Sequence, residues 1–384
     1  MKFFVTNAVG LLAVLSLLGG GMQAARAADI NCKAGPGTPI AIVPNMSISG
    51  TYSGNDMQVG TTIYRNTFHI SRVNVTCDDY FSLDSYMTAN STPSGGGSYM
   101  DTDNGRKYVY PTNVPGVGVA LWYAGRNYTE TRTKDLTITP GDIPDKTSLD
   151  ITNYGPDISL IKTGPIASGS VVNASSFPHL TWDIATGGVN IGYAGLPIHL
   201  ADISFAGSIR FVTQTCTPQN RTVDMGKWNA ANFKGKGSES GPWMDASIQL
   251  TGCPTFSGYY GKDNPQSSVD SGTASGGTRV ANLFTLSVTP AHGLVDSANS
   301  IMALESGTDA ATGLGVQLKY GKVINAGIGE MADTWKSGTS WDVPAPTDGS
   351  GSFKLPLAVI YYQTADRVTP GKANTQFTVN IDYK

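Results

Sequence analysis

Two short clusters of aromatic and hydrogen-bonding residues are the parts of this chain best suited to binding chemistry. The first cluster follows Cys77 and comprises Asp78, Asp79, Tyr80, Asp84 and Tyr86, and the second comprises Trp122, Tyr123, Arg126, Asn127 and Tyr128. Aromatic faces pack on the apolar C–H surface of a sugar ring, while carboxylates and amides pair with its hydroxyls. The clusters therefore predict a sugar site, with the candidate ligand-binding residues Asp79, Tyr80, Asp84, Tyr86, Trp122 and Asn127.

The same aromatic residues are also common in protein cores, which leaves a structural interpretation open. The second cluster begins inside a run in which Val117, Val119, Leu121 and Tyr123 fall at every second position. Such alternation is typical of a β-strand with one buried face. Trp122 is therefore explained more readily as a core residue, and the loop after Cys77 is the favoured site.

The elements that must position these residues are β-strands. Alternating runs recur along the chain, as at Leu180, Trp182 and Ile184, and they are separated by loops rich in turn-forming residues. Glycine is abundant, at 46 residues, only 14% of residues are charged, and no amphipathic helix of three turns stands out. Short strands with frequent turns predict an all-β chain built from antiparallel sandwiches or barrels.

Several function classes are disfavoured by what the sequence lacks. The four histidines are scattered, and no H-E-x-x-H, G-x-S-x-G or P-loop motif occurs. The formal net charge is −3 without a Lys/Arg cluster, which argues against a nucleic-acid partner. We therefore expect no enzyme activity, no metal site and no cofactor.

The N-terminus predicts export from the cell. Lys2 precedes a brief apolar run over 8–18, and Ala25-Arg26-Ala27 has the small-x-small pattern of a signal-peptidase site. We expect 1–27 to be a signal peptide and the mature chain to begin at Ala28. An exported protein reaches an oxidising compartment, where disulfides persist.

The four cysteines allow three pairings, and their grouping favours one disulfide in each half of the chain. The expected pairs are Cys32–Cys77 and Cys216–Cys253. The alternative is that the cysteines bind zinc, but no C-x-x-C pair is present to favour a zinc site.

A domain boundary is predicted near AGLPIHLAD (194–202), which divides the mature chain into 28–200 and 201–384. The second domain ends on ANTQFTVNIDYK (373–384), in which Phe377, Val379, Ile381 and Tyr383 alternate with polar residues. This pattern predicts a final strand with one apolar face.

The second domain resembles the pilin domains of chaperone–usher fimbriae. Four segments carry the resemblance: GSIRFVTQTC (207–216), VDMGKW (223–228) followed by IQLTGC (248–253), AATGLGVQL (310–318) and LPLAVIYYQTADRVTPGKANTQFTVNIDYK (355–384). Pilin domains are immunoglobulin-like sandwiches that lack their last strand and receive it from another protein. The resemblance implies a groove lined by Phe377, Val379, Ile381 and Tyr383, which a periplasmic chaperone fills first and the next pilus subunit fills later, at an outer-membrane usher.

The whole chain resembles two-domain fimbrial tip adhesins, in which an N-terminal receptor-binding domain precedes the pilin domain. Only Ala28 to Asn31 would precede Cys32 in the mature chain, which is too short for a strand to donate to a neighbour. The expected function is attachment from the fimbrium tip to a surface or host receptor, favoured to be a glycan or glycoprotein. The alternatives are a structural tip subunit or an adhesin that binds host protein.

The first domain resembles such adhesins in DISLIKTGPIASGSV (157–171), NCKAGPGTPI (31–40) and VTCDDYFSLDSY (75–86). The last two segments are similar to the mannose-binding adhesins of type 1 fimbriae, where an Asp-Tyr pair and a later Asp help to form the sugar pocket. The resemblance implies such roles for Asp79, Tyr80 and Asp84. The spacing departs from that pattern, and Ala28 stands where an aromatic residue is usual, so mannose specificity does not follow.

Overall fold

The computed structural model of the chain describes residues 29–52, 56–139, 147–186 and 192–384. The predicted signal peptide, 1–27, lies outside the described residues. Within them the chain forms thirty strands and three single-turn 3-10 helices, Ala174–Ser176, Ala230–Asn232 and Ile328–Glu330. No helix of the described residues is long and apolar enough to cross a membrane. The prediction of an all-β fold is confirmed.

The strands are numbered in chain order. The N-terminal strands are β1 Ile30–Ala34, β2 Ile40–Ile42, β3 Ile48–Tyr52, β4 Thr62–Cys77, β5 Leu83–Ser91, β6 Ser98–Thr102, β7 Gly105–Pro111, β8 Val117–Tyr123, β9 Arg126–Asn127, β10 Thr133–Ile138, β11 Ser148–Tyr154, β12 Asp157–Lys162, β13 Val171–Asn173, β14 His179–Ala185, β15 Tyr193–Ala194, β16 Ile198–Ile203 and β17 Ser208–Val212. The later strands are β18 Thr217–Pro218, β19 Glu239–Asp245, β20 Ile248–Thr251, β21 Gln266–Val269, β22 Leu283–Pro290, β23 Leu294–Asp296, β24 Ile301–Met302, β25 Leu314–Tyr320, β26 Asp333–Thr334, β27 Ser340–Pro344, β28 Ser352–Leu355, β29 Leu357–Gln363 and β30 Phe377–Tyr383.

The N-terminal domain is built around two large sheets that share one hydrophobic core. The central path of the ten-stranded sheet runs β15-β1-β4-β12-β8-β7-β6, with β11 and β21 also paired to β4 and β9 paired to β8. The five-stranded sheet runs β10-β5-β14-β16-β2, and a small third sheet runs β13-β17-β3. The long strand β4 organises the domain, because four strands, β1, β11, β12 and β21, pair with different parts of its two edges.

At the centre of this core, aromatic side chains pack on one another and their polar groups are hydrogen-bonded. Trp182 of β14 is fully buried and stacks on Tyr154, with the ring centres 4.8 Å apart. Its indole N–H donates to the Ser85 hydroxyl at 2.6 Å, so burial leaves no donor unpaired. Burying an apolar side chain of this size stabilises the fold by roughly 1.5–3 kcal/mol.

Both expected disulfides are present, Cys32–Cys77 and Cys216–Cys253. Cys32 and Cys77 lie opposite each other on β1 and β4. The loops that the two bridges close span 45 and 37 residues. Chain-entropy reasoning gives about 4 kcal/mol of stabilisation for each loop.

The C-terminal domain is a second sandwich with its own core. Its sheets run β19-β29-β25-β24-β23, with β26 also on β25, then β18-β20-β28, and β27-β22-β30. Phe284, Phe353 and Trp341 are among the buried residues between them. In the described part of the chain β30 pairs on one side only, with β22. The predicted pattern of an incomplete sandwich that ends on a half-paired strand therefore agrees with the sheet order.

The sheets also locate the junction between the domains. The predicted boundary at 200/201 falls inside β16, and β17 pairs with β13 and β3. Phe205 and Phe211 are buried in the N-terminal core, whereas Cys216 belongs to the C-terminal core. The AGLPIHLAD segment, near which the sequence predicts the boundary, leads into an inner strand of the five-stranded sheet. We therefore propose a junction between Val212 and Cys216.

Candidate functional site

The loop after Cys77 contains one carboxylate that supports the fold and two exposed residues. Asp78 accepts hydrogen bonds from the backbone N–H of Asn31 at 2.7 Å and from its side-chain amide at 2.6 Å. The two bonds hold the pKa of Asp78 below its usual value. Asp79 accepts a bond from the N–H of Tyr80 at 2.7 Å, and the Tyr80 side chain is exposed. Asp79 and Tyr80 thus remain accessible to a ligand.

Asp84 and Tyr86 lie on β5, and the structure commits both to internal contacts. The Asp84 carboxylate is buried, lies 2.8 Å from the Lys134 ammonium and accepts a 2.8 Å hydrogen bond from Thr137. Burial alone would raise the pKa of Asp84, but these two partners outweigh it and lower that pKa. Tyr86 donates a long bond to Asp84, and Arg132 lies 3.7 Å from the centre of its ring. The Asp84 carboxylate is therefore both paired and buried, and its burial keeps it from a ligand.

Trp122 is a core residue on the outer face of the ten-stranded sheet. It is 8% exposed, and its indole N–H donates to Ser159 at 3.1 Å. The Arg65 guanidinium and the Lys107 ammonium lie 4.9 and 4.3 Å from its ring centre. Two cations at the indole favour a structural role, since the electron-rich ring stabilises charges that are held out of water.

Beyond Trp122 the structure brings a different set of residues together in an open cleft of about 610 Å³. We call it the 99–133 cleft. Its lining residues are Tyr99, Tyr108, Gly125, Arg126, Asn127, Thr129, Glu130, Thr131 and Thr133. Of the residues predicted from the sequence, it contains Arg126 and Asn127 from the second cluster.

Two tyrosines and a carboxylate give the 99–133 cleft its chemical character. Tyr99 and Tyr108 lie opposite each other on β6 and β7, with ring centres 4.9 Å apart, and Tyr99 is 53% exposed. Glu130 accepts a 2.9 Å hydrogen bond from the Tyr108 hydroxyl and a 3.3 Å bond from the N–H of Gly97. Gly97 is needed here, because a Cβ at this position would lie 2.5 Å from the Tyr108 ring.

The charge of Glu130 is stabilised by its surroundings. Partial burial would raise its pKa, but hydrogen bonds from backbone N–H groups and from Tyr108 hold that pKa below the usual value. Burial and the neighbouring Glu130 raise the pKa of Tyr108, which keeps its hydroxyl protonated. The cleft therefore presents a fixed carboxylate beside an exposed aromatic ring and the guanidinium of Arg126.

Beneath the cleft lies a buried polar network. Tyr128 is fully buried, donates to Asp135 at 2.9 Å and lies 2.7 Å from the hydroxyl of Tyr154. Asp135 is the extra residue of a β-bulge between Lys134 and Leu136, which turns its side chain inward. Burial raises the pKa of Asp135 to about 7, although the Tyr128 hydroxyl and Arg126 act in the opposite direction.

Sequence reasoning missed Tyr99, Tyr108 and Glu130. The signal that could have found the two tyrosines is the turn-forming Asp103-Asn104-Gly105, which lies between two strand patterns and predicts a hairpin. A hairpin with that turn places Tyr99 opposite Tyr108. Glu130 gives no comparable signal, because its position depends on contacts with a different loop.

The second candidate site is the outer edge of β30. Leu283 and Lys384 exchange both backbone hydrogen bonds, each at 2.9 Å. Antiparallel pairs alternate, so the backbone groups of Phe377, Val379 and Ile381 point away from β22. No strand of the described residues pairs with that side.

The side chains of this edge form the row that the sequence predicts. Phe377, Val379 and Ile381 are half-buried against the C-terminal core, while the residues between them are exposed. Tyr383 differs from the other three. It is 6% exposed, packs edge-on against Phe284 and accepts a 3.2 Å hydrogen bond from the N–H of Cys216. Tyr383 thus belongs to the core, and the other three residues form the apolar surface of the edge.

The described residues contain no group of three or more His, Cys, Asp or Glu side chains positioned to hold a metal ion. His199 contacts Asp183 and Asp202 at 2.8 and 3.2 Å on strands β14 and β16. Burial would lower the pKa of His199, but its two carboxylate partners raise that pKa above the usual value. This arrangement is an ion pair on the sheet surface.

Residues 203–384 match the family model described as Fimbrial protein. No curated protein matches the chain significantly.

Among solved structures, the CupB6 tip adhesin from Pseudomonas aeruginosa is similar at 14% identity and a TM-score of 0.33, covering 92% of this chain and 97% of its own. The receptor-binding domain of the adhesin MrkD1P of Klebsiella pneumoniae has 18% identity and a TM-score of 0.28, covering 48% of this chain and 97% of its own. The chaperone–tip subunit complex CsuC–CsuE of Acinetobacter baumannii has 12% identity and a TM-score of 0.23, covering 91% and 99%. Similarities this low carry no argument about function.

Proposed function

We propose that the protein is a fimbrial tip adhesin, because residues 203–384 match the family model described as Fimbrial protein. The C-terminal domain joins it to the pilus by accepting a strand from another protein at the outer edge of β30. The N-terminal domain binds a receptor, favoured to be a glycan. The family is non-enzymatic in general, and its members are found on the cell surface as parts of pili.

The observation that carries the attachment half of the proposal is the half-paired strand β30. Its outward backbone groups and the row of Phe377, Val379 and Ile381 repeat with the same period of two. An added strand would pair with the backbone and cover the row with its own apolar side chains. Each side chain that becomes fully buried stabilises the complex by up to roughly 1.5–3 kcal/mol, which makes an unfilled edge prone to aggregation.

The outer edge of β30 would be covered by two different partners, one after the other, during assembly of the pilus. In the periplasm a chaperone would supply the strand, and at the outer-membrane usher the next pilus subunit would replace it. The protein would then lie at the fimbrium tip, with the N-terminal domain outward.

For the receptor we propose the 99–133 cleft as the binding site. Tyr99 offers an exposed ring face, Glu130 a fixed acceptor, and Arg126 a guanidinium that can donate hydrogen bonds. The Asn127 side-chain amide donates to the carbonyl of Arg106 at 3.3 Å. The buried carbonyl oxygen of the Asn127 side chain has no hydrogen-bond partner among the described residues. A polyhydroxylated ligand suits this combination of one aromatic face with several charged or amide groups. The exposed pair Asp79 and Tyr80 is the second candidate.

The test uses the mature full chain with a donor strand fused after Lys384, applied to a glycan array. Glu130→Gln and Arg126→Ala should each weaken binding roughly tenfold to a hundredfold, because hydrogen bonds to charged groups contribute about 1.5–3 kcal/mol. Asp79→Ala and Tyr80→Ala are the matched controls on the other loop. Loss of binding in the controls alone would move the site to the loop after Cys77. An array without hits, with binding to matrix proteins, would favour an adhesin for host protein.

A further inference from the structure

A segment of the C-terminal domain is inserted into the sheet of the N-terminal domain. The segment 259–275, which we call the strap, leaves the C-terminal domain after Cys253 and returns to it before β22. Its strand β21 pairs in parallel with β4, with Gln266 beside Asn66 and Val269 beside His69. β21 is thus a member of the ten-stranded sheet, although it is separated from β4 by almost two hundred residues.

The side-chain contacts between the strap and β4 are buried, and both strands contribute polar groups to them. Gln266 and Ser268 are 6% and 4% exposed. The Tyr64 hydroxyl donates to the Gln266 side chain at 3.2 Å, and the Asn66 amide donates to the Ser268 hydroxyl at 3.1 Å. Buried polar groups that lose their partner cost free energy, so the strap and β4 each depend on the other.

Further hydrogen bonds fix both ends of β21. At its C-terminal end, Asp270 accepts from the N–H of Ser71 at 2.9 Å and donates its own N–H to the carbonyl of His69 at 2.8 Å. Asn45 exchanges backbone bonds with Gly272 and Ala274 at 3.1 and 2.8 Å.

At the other end of the strap, Arg65 of β4 donates to the carbonyl of Lys262. Tyr260 packs edge-on against Tyr64 at 6.3 Å between ring centres. Arg65 also pairs with Asp157 of β12 at 2.9 Å, which fastens the strap to two strands of the sheet.

We propose that the strap is a strand which the C-terminal domain donates to the N-terminal domain within the same chain, so that the two domains fold and unfold as one cooperative unit. The open part of the β4 edge takes this strand as its specific partner. Any ligand that stabilises the C-terminal domain also stabilises the N-terminal domain through the strap. A strand bound at β30 is one such ligand, and this consequence alone rests on the proposed function.

Backbone N–H groups along β21 point alternately toward β4 and away from it, which allows a substitution that removes a single bond to β4. The N–H of Asp270 points to β4, whereas the N–H of Ser267 bonds to the carbonyl of Ser275 on the other side. Residues two apart share a direction, so the N–H of Ser268 also points to β4. Ser268→Pro removes that donor and opposes the strand pairing. Asp270→Ala is a second variant, which removes the carboxylate bonded to Ser71 and also places alanine at a left-handed backbone position, φ 47°. Val269→Thr is the control, since Val269 is 55% exposed and keeps its N–H.

The experiment measures calorimetric unfolding and hydrogen exchange of the mature full chain without a donor strand. We expect a single transition for the wild type and two for Ser268→Pro. Exchange should rise roughly tenfold or more at Thr67 and His69, the β4 amides that face β21, since the Phe68 N–H bonds instead to Pro156 on the other edge. Asp270→Ala should raise exchange there severalfold, and Val269→Thr should leave it unchanged.

Separate transitions in the wild type would overturn the proposal, as would unchanged exchange at Thr67 and His69 in both variants. If Ser268→Pro does not fold, Asp270→Ala decides. These readouts involve neither receptor binding nor strand exchange, so their failure leaves the proposed function standing. Conversely, loss of adhesion in cleft variants says nothing about the strap.

Discussion

The Asp56 carboxylate accepts a hydrogen bond from the backbone N–H of Tyr383 at 2.9 Å. Asp56 comes from the N-terminal domain, and the Tyr383 N–H points away from β22, on the side of β30 where a donated strand would pair. A carboxylate oxygen of one domain therefore occupies a position that a backbone carbonyl of an incoming strand would take. Strand addition at β30 must displace Asp56 or stop one residue short of it.

The first prediction follows from this competition. Asp56→Ala should let a donor-strand peptide bind roughly two- to tenfold more tightly, because a part-buried hydrogen bond of this kind contributes about 0.5–1.5 kcal/mol net. Peptide affinity measured by fluorescence anisotropy checks it. Asp101→Ala, another exposed aspartate of the N-terminal domain, is the control. Equal affinities for wild type and Asp56→Ala would mean that the incoming strand does not reach Tyr383.

The second prediction concerns the apolar row of β30. Ile381→Asp should abolish binding of the chaperone or donor peptide, because strand addition would bury an unpaired charge. Asn380→Asp places the same charge on the exposed face of the strand and should bind normally. Co-purification with the chaperone and surface display both report the outcome. Normal display of the Ile381→Asp chain would count against the attachment site.

The third prediction separates stability from ligand binding at Asp84. Asp84→Asn should lower the free energy of unfolding by roughly 1–3 kcal/mol, since it removes the charged partner of Lys134 and Thr137 from a buried position. Because the pKa of Asp84 is lowered in the folded state, this stabilisation is present above the unfolded pKa and is lost as the pH falls through the folded pKa. Receptor binding below the unfolding temperature should be unchanged. A stable variant that no longer binds would instead return Asp84 to the ligand site.

The fourth prediction uses the raised pKa of Asp135. Its folded pKa of about 7 lies above its ordinary value of 3.8, so its contribution to stability is complete below the ordinary value and is lost as the pH rises to about 7. The slope is at most ~1.4 kcal/mol per pH unit. Asp135→Asn should flatten the stability profile between pH 4 and 7 relative to wild type, as measured by chemical denaturation. Parallel profiles would show that Asp135 does not titrate in that range.

Short-range sequence patterns correctly predict the structural features that depend on neighbouring residues and on cysteine grouping. The alternation of β30, the two disulfides and the all-β fold follow from period-two burial, cysteine grouping and turn residues, and the structure confirms each of them. Trp122 illustrates the ambiguity of residue type alone, because an aromatic residue near a loop can stack on a sugar or, as here, on two internal cations.

Non-local contacts could not be predicted in this way. β21 reads Gln-Ser-Ser-Val, too short and polar to indicate a strand, and its pairing partner is far away in the sequence. The predicted boundary at 200/201 lies before the junction that we propose, because a turn before an inner strand contains the same residue types as a connection between domains. The inward direction of Asp135 depends on a β-bulge, which shifts the alternation of inward and outward side chains by one residue. No residue type in the sequence indicates this bulge.

Residue-resolved hydrogen exchange along β30 tests the attachment site most directly. In the chain without a donor strand, the amides of Thr378, Asn380 and Asp382 should be protected by β22, while those of Phe377, Val379 and Ile381 exchange quickly. Adding a donor-strand peptide should protect the second set and leave the first unchanged. Fast exchange of Phe377, Val379 and Ile381 at saturating peptide would contradict the account.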